Sequence, residues 1–141
     1  MTPSGEPRAI ASVELSQPLI DLLFQRSEYA SPQEMCGVLF SGDKFYQTSN
    51  TAGDPCHEFH INIHEYIFLC GIQNREPLAL VHSHPTKGAT SSVKDCRLLD
   101  DLERCGKDLA MVIVGLDPRE IRVYKKRGHV YACEWKHIPV A

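Results

Sequence analysis

The segment HSHPTKGATSSVKD, residues 82–95, carries the side chains of this chain that are best suited to chemistry. Two imidazoles, from His82 and His84, and a carboxylate from Asp95 are three ligands that a catalytic zinc accepts while a fourth position stays open for water. In an extended strand, side chains two residues apart point to the same face, so the two histidines project together. A short loop that opens into a helix would return Asp95 to them. The segment therefore predicts a metal-dependent hydrolase.

Hydrolysis at such a centre also needs a proton acceptor and a donor for the developing oxyanion. Glu34, in SPQEMCG and immediately before a predicted strand, is the candidate general base, which would take a proton from water and pass it to the leaving amine. Its spacing alone does not single it out. The hydroxyl of Ser92 could stabilise the tetrahedral oxyanion, which is worth roughly 3 kcal/mol for comparable donors.

These residues also have a structural interpretation. Ser92-x-x-Asp95 is a helix-capping signature, and on those four residues alone capping is the more frequent role. An aspartate at that position can still face a metal, so the two roles are compatible. Either histidine alone would more often be an ordinary polar residue at a strand end, whereas the set of three favours a metal. The same ligands suit non-haem iron, so they do not fix the metal.

A second group of candidate ligands comprises Cys56, His57, His60 and His64. His60 and His64 would align on one continuous helix because they are four residues apart. Asn62 is predicted to start a helix between them, which breaks that alignment. We therefore do not expect a metal site in this group.

Composition indicates a single domain over residues 9–141, preceded by a polar tail over residues 1–8. The 141 residues are 43% hydrophobic and 23% charged, as in ordinary globular proteins. A net charge of −3 predicts neither nucleic acid nor an anionic membrane as a partner. The longest basic run, Lys125 to Arg127, is interpreted as a solvated turn.

Targeting and redox features point to the cytoplasm. The polar first residues lack the apolar core of a signal peptide, and no apolar run approaches the ~18 residues that span a bilayer. Six cysteines are spread along the chain without CxxC pairs. We expect them to be reduced and mostly buried.

Hydrophobic patterning predicts helices and strands that intermix along the chain. Strands are expected over residues 8–13, 35–40, 44–49, 77–83, 109–114, 121–125 and 129–135. Helices are expected over 18–29 and 63–74, capped by Ser16 and Asn62, and from Ser92 to a stop at Gly106. The second helix is expected to face inward through Ile63, Tyr66, Ile67 and Cys70. The fold class is therefore α/β, with a mixed sheet flanked by helices.

The full pattern resembles the JAMM (MPN-plus, or JAB) metalloprotease family. It consists of an upstream glutamate, then HSHP, seven residues between His84 and Ser92, and an aspartate three residues further on. SPQEMCGVLF resembles the P-x-E-x-C-G segment of prokaryotic members, and ALVHSHP resembles their metal-bearing strand. The resemblance extends over about residues 13–135.

This resemblance implies a cytidine deaminase-like α/β/α fold and one zinc ion per chain, bound by His82, His84 and Asp95. It implies Glu34 as the general base and Ser92 as the oxyanion stabiliser. Family members hydrolyse the amide or isopeptide bond after the C-terminal diglycine of ubiquitin or ubiquitin-like proteins. The chain lacks the large insertions of eukaryotic deubiquitinases, so a small ubiquitin-like or sulfur-carrier protein is the expected substrate.

Two other functions remain open at this level. The same two segments resemble the N-terminal domain of lambda-type tail assembly proteins, which would make the chain a phage assembly factor. A metal-braced binding module without turnover is the second alternative. Exposed strands in the terminal hairpins could also pair two copies into a homodimer.

Overall fold

The structure is a computed structural model that describes residues 14–139. In this part of the chain six strands form one sheet: β1 (Cys36–Phe40), β2 (Lys44–Thr48), β3 (Pro77–His84), β4 (Ala110–Leu116), β5 (Arg119–Arg127) and β6 (Val130–His137). Three helices accompany it: α1 (Gln17–Ala30), α2 (Ile63–Gln73) and α3 (Val93–Arg104). The strand predicted over residues 8–13 and the tail over 1–8 lie outside the described residues.

The strand order is β2-β1-β3-β4-β5-β6, and the sheet is mixed. Strands β3 and β4 run parallel, joined by a crossover through α3, and the remaining neighbours pair antiparallel. The apolar run that follows Pro77 is buried from Ala79 to His84, as a central strand with both faces covered requires. The edges of the sheet are β2 and β6.

Helices cover both faces of the sheet. Helix α1 packs Leu19, Leu23 and Phe24 against one face, where Val81 and Val112 point. Helices α2 and α3 cover the opposite face, around two clusters: one includes Val38, Phe40 and Leu80, and the other includes Met111 and Ile113. The α/β class and the mixed sheet flanked by helices are therefore confirmed.

Helices α1 and α2 begin directly after their predicted capping residues. The Leu19 amide donates to the Ser16 hydroxyl at the start of α1, and the His64 amide donates to the Asn62 side chain at the start of α2. The inward face predicted for α2 is correct at Tyr66 and Cys70, which pack against the core, but wrong at Ile63 and Ile67, which are exposed.

Helix α2 also packs through Leu69, which was not among the residues predicted to face inward. Its sequence, IHEYIFLCGIQ, is apolar on nearly all sides, so periodicity cannot select the buried face. Phe68 and Ile72 are exposed on this helix as well.

Two further expectations need correction. The basic run is not a solvated turn but belongs to β5, where Lys125 is buried and pairs with Asp108 at 2.8 Å. Across the hairpin, Arg127 pairs with Glu134, so an acidic partner holds each end of the run. All six cysteines are free, but Cys36 alone is buried, three are half-buried, and two are exposed.

None of the helices within residues 14–139 combines the length and apolar character needed to cross a membrane.

Candidate metal centre

The two motif histidines lie at the carboxyl end of the central strand β3. His82 and His84 project from the same face because they are two residues apart in an extended strand. Both are buried, with exposed fractions of 0% and 2%. The ring of Phe59 stacks on that of His82, with centroids 4.2 Å apart, and so limits its rotation.

Asp95 is delivered by the first turn of α3. The Asp95 amide donates to the Ser92 hydroxyl at 3.1 Å, and the Ser92 amide donates to the Asp95 carboxylate at 2.9 Å. This reciprocal pair is a capping box, so the capping interpretation is confirmed. Because the same carboxylate also faces the histidines, capping and the metal-ligand geometry coexist.

The three side chains converge on one point. Asp95 Oδ1 lies 3.0 Å from His82 Nε2, and Asp95 Oδ2 lies 3.4 Å from His84 Nε2. The two Nε2 atoms are 3.3 Å apart. One possible ligand atom from each residue lies within 4.8 Å of the others, and all three residues are buried. This group is geometrically able to bind a metal ion.

The hydrogen bond of His84 determines which of its nitrogens is free. Its Nδ1 lies 2.9 Å from the carbonyl oxygen of Gly88, which can only accept, so Nδ1 carries the proton of the neutral ring. His84 Nε2 then presents a lone pair toward Asp95 and His82. Without a cation, this lone pair and the Asp95 carboxylate repel each other. A divalent cation between them would be coordinated by both, so these ligand atoms fit a metal.

Nδ1 of His82 is buried and has no hydrogen-bond partner within the part of the chain that the structure describes. Its ring is oriented by the stacking contact with Phe59 rather than by a hydrogen bond at that nitrogen. Burial lowers the pKa of His82, and Asp95 only partly offsets this effect. The neutral form, which can ligate a metal, is therefore favoured.

Asp95 is held as a carboxylate. Burial alone would raise its pKa, but the hydrogen bond with His82, together with the Ser92 amide, holds the pKa well below its usual range. A deprotonated carboxylate is the form that coordinates a cation.

Glu34 reaches the centre through the pairing of β1 with β3. Cys36 is opposite His82 in the antiparallel register, so Glu34, two residues earlier, comes opposite His84. The Met35 amide donates to the Ser83 hydroxyl at 2.7 Å and extends this pairing beyond the strand. The Glu34 amide also donates to the carbonyl of Pro55 at 2.7 Å.

The Glu34 carboxyl keeps its proton to a higher pH than an ordinary glutamate. Burial raises its pKa from 4.5 to about 7, with His84 opposing the rise and Asp95 adding to it. A base with a pKa near the working pH exchanges protons most effectively.

A cavity of about 230 Å³ opens above these groups. Glu34, Ser92 and Asp95 line it, together with Phe59 and the polar residues His57, Glu58, Lys94, Arg97 and Asp101. Solvent can therefore reach Glu34 and Asp95, whereas His82 and His84 do not line the cavity.

The second histidine group does not assemble. His57 Nδ1 pairs with Asp54 at 3.0 Å on the surface, and His60 Nδ1 lies 2.7 Å from the Thr51 hydroxyl. His64 lies in the first turn of α2, after the Asn62 cap, as the sequence indicated.

Three contributors to the centre were not singled out from the sequence: Phe59, Gly88 and Glu120. The ring of Phe59 and the carbonyl of Gly88 contact the histidines, and Glu120 accepts a hydrogen bond from the amide that follows Gly88. Phe59 and Glu120 are not marked by local spacing, because each contacts a segment that is distant in sequence. Gly88 is only four residues from His84, but it acts through its backbone carbonyl, which no side-chain pattern reveals.

No protein-family model and no curated protein matches this chain. Solved structures do match it. One is the solution structure of protein DSY2949 from Desulfitobacterium hafniense, which is 24% identical, with a TM-score of 0.63. The match covers 84% of this chain and 88% of that chain. This structural match supports the α/β fold described above.

Proposed function

We propose that this chain is a JAMM-type zinc metallopeptidase with a JAB/MPN, cytidine deaminase-like fold. The observation that carries the proposal is the buried convergence of His82, His84 and Asp95, with Asp95 and Glu34 lining the same cavity. In this proposal the three residues hold one zinc ion. When bound there, zinc would supply a water molecule whose pKa is lowered to about 7.

The chain's own residues would handle protons and charge. Glu34 takes a proton at its carboxylate and later passes it to the leaving amine, as its pKa of about 7 permits. Ser92 Oγ already accepts from the Asp95 amide, so its own O–H remains available to donate to the oxyanion. Phe59 excludes water from one side of His82.

The proposed substrate is the C-terminal diglycine tail of a small ubiquitin-like or sulfur-carrier protein. The cavity, at about 230 Å³, is smaller than the ~300–1,000 Å³ of typical ligand pockets. A backbone with small residues on either side of the cleaved bond suits such a space better than bulky side chains do.

The test is cleavage of a ubiquitin-like carrier joined through its diglycine to a reporter, with metal content measured by mass spectrometry on the same preparation. We expect about one zinc per chain and turnover that chelation abolishes and zinc restores. Glu34→Gln should retain the metal but lose at least about 100-fold in rate. Glu58→Gln is the matched control, because Glu58 lines the same cavity and pairs with Lys94 at the surface.

Specificity has its own control. A fusion with leucine in place of the last glycine should be cleaved poorly, because it overfills the cavity. Zinc binding without turnover of any diglycine fusion would favour the metal-braced binding module instead. Equal rates for Glu34→Gln and wild type would overturn the assignment of the base.

A further inference from the structure

His84, Gly115 and Glu120 form a row across three strands. His84 on β3 is the register partner of Gly115 on β4, and Gly115 is the partner of Glu120 on β5. Two strand spacings, on the order of 10 Å, separate the backbones of His84 and Glu120. The two side chains therefore need an intermediary to influence each other.

The peptide unit between Gly88 and Ala89 fills that gap. Its carbonyl oxygen lies 2.9 Å from His84 Nδ1, and its N–H donates to Glu120 Oε2 at 2.9 Å. Both bonds belong to one planar amide, so fixing the N–H also fixes the direction of the carbonyl. A single rigid group thus connects the Glu120 carboxylate to the ring of His84.

Two glycines make room for this peptide. A Cβ on Gly115 would lie 2.4 Å from the Gly88 carbonyl carbon and 2.5 Å from the Ala89 nitrogen. A Cβ on Gly88 would lie 2.6 Å from Glu120 Oε2. The loop is fixed further because the Leu116 amide donates to the Lys87 carbonyl at 3.1 Å.

Glu120 is itself anchored. Glu120 is 6% exposed, and its other carboxylate oxygen, Oε1, accepts from Arg122 Nε at 3.1 Å. Arg122 Nη1 in turn donates to the hydroxyl of Tyr124 at 3.5 Å. Glu120, Arg122 and Tyr124 are alternate residues of β5, so their side chains lie on one face of the sheet. The contacts among them hold the Glu120 carboxylate in place.

We propose that Glu120 is a positioning residue for the metal centre, acting through the Gly88–Ala89 peptide to hold His84 with its proton on Nδ1 and its lone pair on Nε2. The carboxylate polarises the amide it accepts from, which makes the Gly88 carbonyl a stronger acceptor for the His84 proton. Such outer contacts orient metal ligands and fix their tautomers. The inference rests on the proposed metal centre but concerns a property of His84 that exists without metal.

The test uses the full chain with Glu120→Gln and Glu120→Ala. Glu120→Gln keeps the shape of the side chain but leaves one acceptor oxygen in place of the two carboxylate oxygens. Glu120→Ala removes both oxygens. Glu103→Gln is the matched control, since it makes the same charge change on an exposed residue of α3 that pairs with Lys126. Thermal unfolding of each variant establishes that it is folded.

The deciding readout is the tautomer of His84 in metal-free protein, measured from ¹⁵N-histidine NMR at about pH 8, where imidazole is neutral. Wild type and Glu103→Gln should show Nδ1 protonated and Nε2 bare. Glu120→Ala should populate the other tautomer, or, if it does not fold, Glu120→Gln should do so to a lesser extent. Zinc affinity, measured against a chromophoric chelator, should fall about 10–100-fold in parallel.

An unchanged tautomer in the folded Glu120 variants would overturn the proposal, as would a wild-type His84 protonated on Nε2. If wild type takes up no zinc, the proposed function fails, yet the tautomer still decides the role of Glu120. The two failures are therefore distinguishable.

Discussion

Ser92 and Asp95 each accept a hydrogen bond from the backbone amide of the other. The Ser92 hydroxyl is the acceptor in one bond, at 3.1 Å, and the Asp95 carboxylate is the acceptor in the other, at 2.9 Å. The start of α3 and the position of the third candidate ligand are thus one structural unit. Substitutions of Ser92 can separate its structural from its proposed chemical role.

Ser92→Gly should keep most of the stability while removing the hydroxyl. Glycine is a fair N-cap and costs a few tenths of a kcal/mol, whereas Ser92→Ala should cost about 1 kcal/mol. Both variants should lose about 100–1,000-fold in rate if the hydroxyl stabilises the oxyanion. Urea unfolding and cleavage of the diglycine fusion measure the two effects. A Ser92→Gly variant with the wild-type rate would leave capping as the only role of Ser92.

Glu34→Gln should stabilise the metal-free protein at neutral to basic pH. The pKa of Glu34 is raised from 4.5 to about 7 by folding, so its stabilising contribution is complete below 4.5 and is lost as pH rises through 7. At about pH 8 the variant should gain up to about 3 kcal/mol, because glutamine carries no charge to bury. Urea unfolding with chelator measures the gain, which should vanish near pH 4.5.

The half-buried Glu58 supplies the control for this prediction. Glu58→Gln makes the same chemical change at the same cavity and should shift stability by at most about 0.5 kcal/mol. A comparable gain in both variants would show that burial of Glu34 is not the cause.

Acid should destabilise the metal-free centre. The pKa values of His82 and Asp95 lie below their ordinary values of 6.5 and 3.8 in the folded chain, so the unfolded chain binds these protons more readily. Their stabilisation is complete above pH 6.5 and is lost as pH falls, first at His82. Urea unfolding at about pH 7.5 and about pH 5 should show the loss.

Two histidine variants test whether the acid sensitivity arises at His82. His82→Gln should flatten the dependence on pH, whereas His57→Gln, at an exposed position, should retain it. If both variants followed the wild-type curve, the acid sensitivity would arise elsewhere in the chain.

Gly115→Ala should displace the loop after β3. Its Cβ would lie 2.4 Å from the Gly88 carbonyl carbon, so the variant should lose about 1–3 kcal/mol and bind zinc more weakly. Gly71→Ala is the control, because an added Cβ would meet no atom within 4 Å apart from its chain neighbours and the backbone of its own helix. Alanine should stabilise α2 there by up to about 1 kcal/mol. Thermal unfolding and zinc titration compare the two. Unchanged zinc affinity in Gly115→Ala would show that the loop position does not matter to the centre.

The candidate ligands were predictable because their geometry is local. His82 and His84 need only a strand, and Asp95 needs only a capped helix after a short loop. Glu34 could not be placed by spacing, since its position depends on the register of β1 against β3. The resemblance to a family supplied that link, and the register is consistent with it.

Other parts of the molecule were not predictable for physical reasons. The buried face of α2 could not be chosen because apolar residues surround that helix on nearly all sides. Lys125 was taken for a turn residue because its partner Asp108 is distant in sequence. Glu120 reaches the centre only through a peptide bond, which no pattern of side chains reveals.

The row from His84 through Gly115 to Glu120 also bears on protein engineering. Transfer of the HSHP strand and the capped helix into another sheet would reproduce the three candidate ligands. It would not reproduce the space that Gly115 leaves for the Gly88–Ala89 peptide in the loop after β3. The host would also need a residue without a Cβ on the adjacent strand and a carboxylate one strand further. The smallest portable version of this centre therefore comprises three strands and the capped helix rather than one linear motif.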